Sequence, residues 1–137
     1  MILVDTGPLV ALFDPKDSYH ARCRTVLKSL REPLLTAIPV LTEAFHLLTP
    51  GSRGALALGK FLTQKGILVW KFDDDTLKTS LELMDKYADK PMDLADASLV
   101  TAGQCLGIFR VFSIDRKDFY AYRISIGHEL KSFDLIY

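Results

Sequence analysis

Met1-Ile2-Leu3-Val4-Asp5-Thr6-Gly7-Pro8-Leu9-Val10-Ala11-Leu12 sets a short apolar run directly before an aspartate, a Thr-Gly-Pro turn and a second apolar stretch. Ile2–Val4 reads as a strand stopped by the turn residues. Pro8 suits the first turn of a helix over Leu9–Phe13, because its missing N–H costs nothing there. A strand that passes at once into a helix is the first half of a βαβ unit, and the same alternation repeats along the chain.

Asp17 or Ser18 can cap a helix through about Leu30, with Tyr19, Cys23, Val26, Leu27 and Leu30 on one face. Leu34–Ala37 is a strand between Pro33 and Pro39, and Pro39 opens a helix carrying Val40, Leu41, Ala44, Leu47 and Leu48. Pro50-Gly51 ends it, Ser52 caps a helix from Arg53 to Gln64, and Gly66 closes that one. Ile67–Trp70 reads as a buried strand. Asp73 or Asp74 starts a helix to about Tyr87, Pro91 breaks it, and another runs from Asp93 to Leu106, ending at Gly107. Val111–Ile114 and Phe133–Tyr137 are the remaining strands. Strands separated by helices predict an α/β sandwich of three layers, a central, mostly parallel sheet flanked by helices, in one domain over residues 1–137. Ligands of such sheets bind beyond the carboxyl ends of the strands.

The 137 residues carry 17 Lys+Arg against 17 Asp+Glu and are 49% hydrophobic, too apolar and too neutral for a disordered chain. Zero net charge also excludes a globally basic nucleic-acid binder, leaving only a local basic face. Cys23 and Cys105 have neither C-x-x-C spacing nor nearby ligands, so they read as reduced thiols. The first residues lack the basic segment and small-residue cleavage site of an export signal. No stretch approaches the ~18 apolar residues of a membrane span. The expectation is a cytoplasmic protein without membrane contact.

The acidic residues carry the chemistry. Val4 leads into Asp5 and Ile114 into Asp115, so both fall at the carboxyl rim of the expected sheet. Asp93 and Asp96, three apart at a helix start, share one helical surface. Glu43 lies one turn into a largely apolar helix. Each has a plainer reading. Asp93 and Asp5 are natural helix caps, Asp96 favours the helix dipole, Glu43 can face solvent, and Asp115 can be a turn residue. Taken together they read differently. A pair of carboxylates ~4 Å apart repels by about 4 kcal/mol at an effective dielectric of 20. A cation among them relieves that cost, and oxygen ligands without His or Cys select Mg²⁺ or Mn²⁺ over zinc. Such an ion activates water for displacement at phosphorus.

Four segments carry a family resemblance: Met-Ile-Leu-Val-Asp5-Thr6-Gly-Pro, Leu-Thr-Glu43-Ala-Phe, Met-Asp93-Leu-Ala-Asp96-Ala-Ser-Leu-Val and Phe-Ser113-Ile-Asp115-Arg-Lys-Asp118-Phe. In order and spacing they resemble the motifs of PIN-domain ribonucleases, above all the compact VapC-type toxins of type II toxin–antitoxin pairs. The resemblance spans essentially the whole chain. It implies Mg²⁺- or Mn²⁺-dependent endoribonucleolytic cleavage of RNA, with a cognate antitoxin and a homodimeric state. Asp5, Glu43, Asp96 and Asp115 match the acidic quartet, and Thr6 and Ser113 match its supporting hydroxyls. Asp93 and Asp96 both lie where the third acid belongs. Asp96 is preferred because it precedes Ala-Ser-Leu-Val, with Asp93 capping or assisting and Asp118 in support.

Rival readings are a phosphoacceptor receiver domain and a catalytically silent RNA- or protein-binding module of the same fold. A receiver would show paired acids after its first strand, where this chain has one. Asp5-Thr6-Gly7 also matches aspartic proteases, but on an α/β rather than an all-β pattern. His20, His46 and His128 are scattered and read as packing or surface residues. Tyr120 and Tyr122 either stack a base or form a plain surface aromatic pair. Lys16, Arg22, Arg24, Lys28 and Arg31, with Lys60, Lys65 and Lys71, either solvate helix faces or line an RNA path.

Overall fold

The computed structural model describes residues 1–137. In chain order its elements are β1 (Ile2–Val4), α1 (Thr6–Phe13), α2 (His20–Ser29), β2 (Leu34–Ala37), α3 (Ile38–Leu47), α4 (Arg53–Thr63) and β3 (Leu68–Trp70). There follow α5 (Asp74–Lys86), α6 (Leu94–Leu106), β4 (Arg110–Phe112), α7 (Arg116–Ala121), β5 (Arg123–Ile126), β6 (Glu129–Ser132) and β7 (Asp134–Ile136). Five strands form one sheet in the order β3-β2-β1-β4-β7, every pair parallel. Ile2, Leu3 and Val4 of β1 and all four residues of β2 are buried. Burial of successive residues means that both faces of the sheet are covered, as the helices on either side require. No helix is long and apolar enough to cross a membrane.

The caps largely follow the sequence. Asp73 and Thr76 exchange hydrogen bonds as a capping box on α5, and Ser52 caps α4 through Ala55 N–H. Gly107 ends α6 in the left-handed region, φ 68°, where a side chain would be strained. Elsewhere the structure corrects the reading. Helix α1 starts at Thr6 rather than Leu9, because Asp5 accepts the Thr6 N–H. Helix α2 begins only at His20, Asp17 being occupied in a turn by the Tyr19 N–H at 2.8 Å. The left-handed residue after α4 is Lys65, φ 61°, not Gly66. The stretch Ile67–Trp70 is not a buried strand. Ile67 is buried, but Leu68 and Val69 are 39% and 42% exposed, since β3 is an edge of the sheet.

Strand β4 ends at Phe112, so Ile114 lies outside it, although the Ser113 N–H still donates to Ile136 O. The antiparallel hairpin β5–β6 and the short helix α7 are absent from the sequence pattern. Every residue of β6 is exposed, so no burial alternation marks it.

Candidate active site

Topology places the site. From β1 the chain builds outward through β2 and β3, then crosses to the other side for β4 and β7. The switch lies between β1 and β4, where the carboxyl ends of an open parallel sheet leave a crevice. Asp5 follows β1 at that point and Ser113 follows β4. The Ser113 hydroxyl donates to Asp5 Oδ2 at 2.8 Å, and the Thr6 N–H donates to Oδ1 at 2.8 Å. Ser113 Oγ in turn accepts the Asp115 N–H at 3.0 Å, tying the two rim aspartates to one hydroxyl. Asp5 is only 6% exposed. Burial pushes its carboxyl up to about 6; the Ser113 and Thr6 hydrogen bonds oppose the rise, and the charges of Asp93 and Glu43 add to it.

Helix α6 brings the next pair. Asp93 is the N-cap and accepts the Asp96 N–H at 2.8 Å. One turn on, Asp96 Oδ2 accepts the Tyr122 hydroxyl at 2.8 Å. Burial raises the Asp96 carboxyl to about 8, with the charges of Asp5, Asp93 and Asp118 adding to burial and the Tyr122 hydrogen bond opposing it. Tyr122 is itself 1% exposed, and burial next to Asp96 pushes its phenol above the usual range. Its ring meets Tyr87 and Phe119 edge-on at 5.3 and 5.4 Å, which fixes where the hydroxyl points. Glu43 enters from α3, raised by burial and by Asp93. Asp115 caps α7, and Asp118 in that helix's first turn is raised by burial and by Asp115.

These side chains line one cavity of about 430 Å³: Asp5, Thr6, Glu43, Asp93, Asp96, Asp115 and Asp118 all face it, with Asp17. No Lys, Arg or His lines it. Thr6 Oγ1, in a residue 5% exposed, is buried without a hydrogen-bond partner. It stands near enough to Glu43 to favour that carboxylate, yet the geometry leaves it unpaired. An all-oxygen lining, carboxyls raised by burial and by one another's charge, and an orphaned hydroxyl fit a hard divalent cation. No group of three or more His, Cys, Asp or Glu side chains stands close enough together to hold a metal ion by itself; Mg²⁺ usually takes one or two carboxylates directly and keeps waters.

Every acidic residue singled out in the sequence thus reaches the cavity, and Ser113 lies beneath it on Asp5. Capping and site roles coexist, since Asp5, Asp93 and Asp115 each cap a helix that starts at the rim. Two contributors escape the sequence reading. Asp17 appears there only as a helix cap, and Tyr122 as half of a surface pair. Tyr120 is indeed 53% exposed, whereas Tyr122 is core. The three-residue spacing of Phe119 and Tyr122, one face of a short helix, is the signal that could have separated them.

Comparison with known proteins agrees with this architecture. The family model described as PIN domain matches residues 2–123. Among solved structures, VapC20 of Mycobacterium tuberculosis, described as a Sarcin-Ricin loop cleaving toxin, superposes with a TM-score of 0.79 at 23% identity. The match covers 85% of this chain and 92% of that one. A toxin–antitoxin complex from Klebsiella pneumoniae matches at TM-score 0.68 and 16% identity, covering 88% of this chain and 92% of its own. FitAB bound to an IR36 DNA fragment matches at 0.61 and 20%, over 88% and 90%. No curated protein sequence matches.

Proposed function

The chain belongs to the PIN domain family, and we propose that it is a divalent-metal-dependent endoribonuclease, the toxin of a toxin–antitoxin pair. The observation that carries this is the convergence of Asp5, Glu43, Asp93, Asp96, Asp115 and Asp118 on one cavity without a basic side chain. Asp5, Asp96 and Asp115, with Glu43 and Asp93, are the residues to hold Mg²⁺ or Mn²⁺. When bound, the ion supplies an acid for activating water and countercharge at the scissile phosphate.

The protein's own part is to present ionised carboxylates in fixed directions. Ser113 and Tyr122 donate to the charged forms of Asp5 and Asp96, opposing the burial that favours the protonated forms. Without a cation Asp96, raised to about 8, keeps its proton at neutral pH, so loading the site displaces a proton. Asp118 lines the same cavity and supports Asp115, whose Oδ1 accepts the Asp118 N–H at 3.4 Å. No serine, cysteine or histidine nucleophile is required.

The receiver reading loses its structural footing. In the flavodoxin order of receiver domains the first strand lies between the second and third, whereas here β1 lies between β2 and β4. As partners we propose RNA, a cognate antitoxin covering the acidic pocket and a second copy of the chain; complexes among the structural neighbours support the antitoxin. The test is incubation of a single-stranded RNA pool with wild type and Asp5→Asn, in Mg²⁺ or Mn²⁺ and in EDTA. Cleavage that needs both the metal and Asp5 is the expected result. Wild-type binding of RNA without cleavage in either metal would instead mark a silent module.

A further inference from the structure

A second cavity, of about 210 Å³, adjoins the acidic one, and Ile114 and Asp115 line both. Its character is opposite. Arg22 reaches it from α2, Arg116 and Lys117 from α7, and Tyr137 from beyond β7. The Arg116 guanidinium carbon lies 4.1 Å from the centre of the Tyr137 ring and that of Arg22 lies 5.1 Å away, so one ring holds two cations. None of the ion pairs in the structure engages Arg22, Arg116 or Lys117. Asp115 is the single carboxylate side chain in the lining, and it caps α7. Three cationic side chains against one carboxylate side chain favour an anion. Planar guanidiniums gathered over an aromatic floor present forked donors suited to phosphate oxygens.

We propose that this cavity is a phosphate subsite: it seats a backbone phosphodiester of the same RNA strand whose scissile bond lies in the acidic pocket. The proposal rests on the ribonuclease reading and deepens it. The shared wall of Ile114 and Asp115 sets the two pockets side by side, one built for a cation and one for the anion next to it. A strand entering the acidic pocket alone meets only repulsion, and the basic cavity offsets this at the adjoining phosphate. It also selects one residue, Arg22, from the basic segment between Lys16 and Arg31.

The test is fluorescence anisotropy of a labelled single-stranded oligoribonucleotide with the full chain in EDTA, over a salt series. Wild type is compared with Arg22→Gln/Arg116→Gln and with Lys60→Gln/Lys65→Gln, which removes equal charge outside both cavities. The arginine pair is expected to lose about tenfold in affinity, the worth of one charge-assisted hydrogen bond. Its slope of log affinity against log salt should flatten by about 0.7 for each phosphate no longer neutralised, while the lysine pair keeps the wild-type slope. An unchanged slope in the arginine pair, or an equal loss in the lysine pair, overturns the subsite. So does salt-independent or undetectable RNA binding by wild type. Displacement of the oligonucleotide by inorganic phosphate at equal concentration overturns strand recognition; displacement only at large excess supports it. Wild-type cleavage in Mg²⁺, measured alongside, separates the two claims. Cleavage with an unchanged slope rejects the subsite alone, and arginine-dependent binding without cleavage rejects the nuclease reading alone.

Discussion

The two ends of the parallel sheet handle charge in opposite ways. At the amino end, Glu32 before β2 meets the N-terminal ammonium of Met1 at 2.7 Å and the Arg110 guanidinium at the start of β4. Arg110 Nε also lies 3.4 Å from Asp134 of β7, so across β2, β1, β4 and β7 two cations stand between two acids. At the carboxyl end the acids line a cavity without a basic side chain. Self-contained ion pairs serve the fold. Carboxylates left to repel one another oppose it, and that opposition marks the end of the sheet to which we assign the chemistry.

Breaking the carboxyl end should have the largest effect. Asp5→Asn or Asp96→Asn is expected to reduce metal-dependent RNA cleavage by at least about a hundredfold, measured by gel assay, with circular dichroism unchanged. Loosening its supports comes next. Ser113→Ala and Tyr122→Phe each remove a donor to a carboxylate, and metal affinity by calorimetry should fall about 10–100-fold.

The third effect concerns stability and has a definite sign. Asp96 is raised from 3.8 unfolded to about 8 folded, so between those values the folded state binds more protons and stability falls as pH rises. In EDTA, wild type and Asp96→Asn should melt alike near pH 4. By pH 8 the variant should be the more stable, the gap widening across the interval between 3.8 and about 8. Mg²⁺ should close that gap at pH 8 by stabilising the wild type. A constant difference across the range would refute the carboxylate strain. The smallest effect lies at the amino end. Glu32→Gln is expected to cost less than about 1 kcal/mol in urea melts, and less still at high salt, because its partners are partly exposed.

The sheet and the acidic rim were legible because both rest on local signals: apolar runs for strands, and aspartates placed after strands or before helices. Asp5 and Asp93 show why the plain and functional readings did not compete, since one carboxylate oxygen can cap while the side chain still faces the cavity. What escaped the sequence depends on distant partners. Tyr122 is core only because Tyr87, Phe119 and Asp96 converge on it. Leu68 and Val69 are apolar like any buried strand, and only their place at the sheet edge exposes them. The hairpin β5–β6 lacks a buried face on β6, so no periodicity announces it. The gathering of Arg22, Arg116 and Tyr137 joins three remote parts of the chain.

The hydroxyl that links Ser113 to Asp5 spans 108 positions of sequence. At the usual ~5–20 residues per second of synthesis, the two ends of that link emerge on the order of ten seconds apart. The first strand of the sheet therefore waits unpaired on its β4 side until most of the chain exists, and the acidic cavity cannot close before then. A nascent copy has no assembled acidic site until Ser113 has been made. Truncated products ending before β4 lack Ser113, Asp115 and Asp118 and should not assemble the acidic cavity.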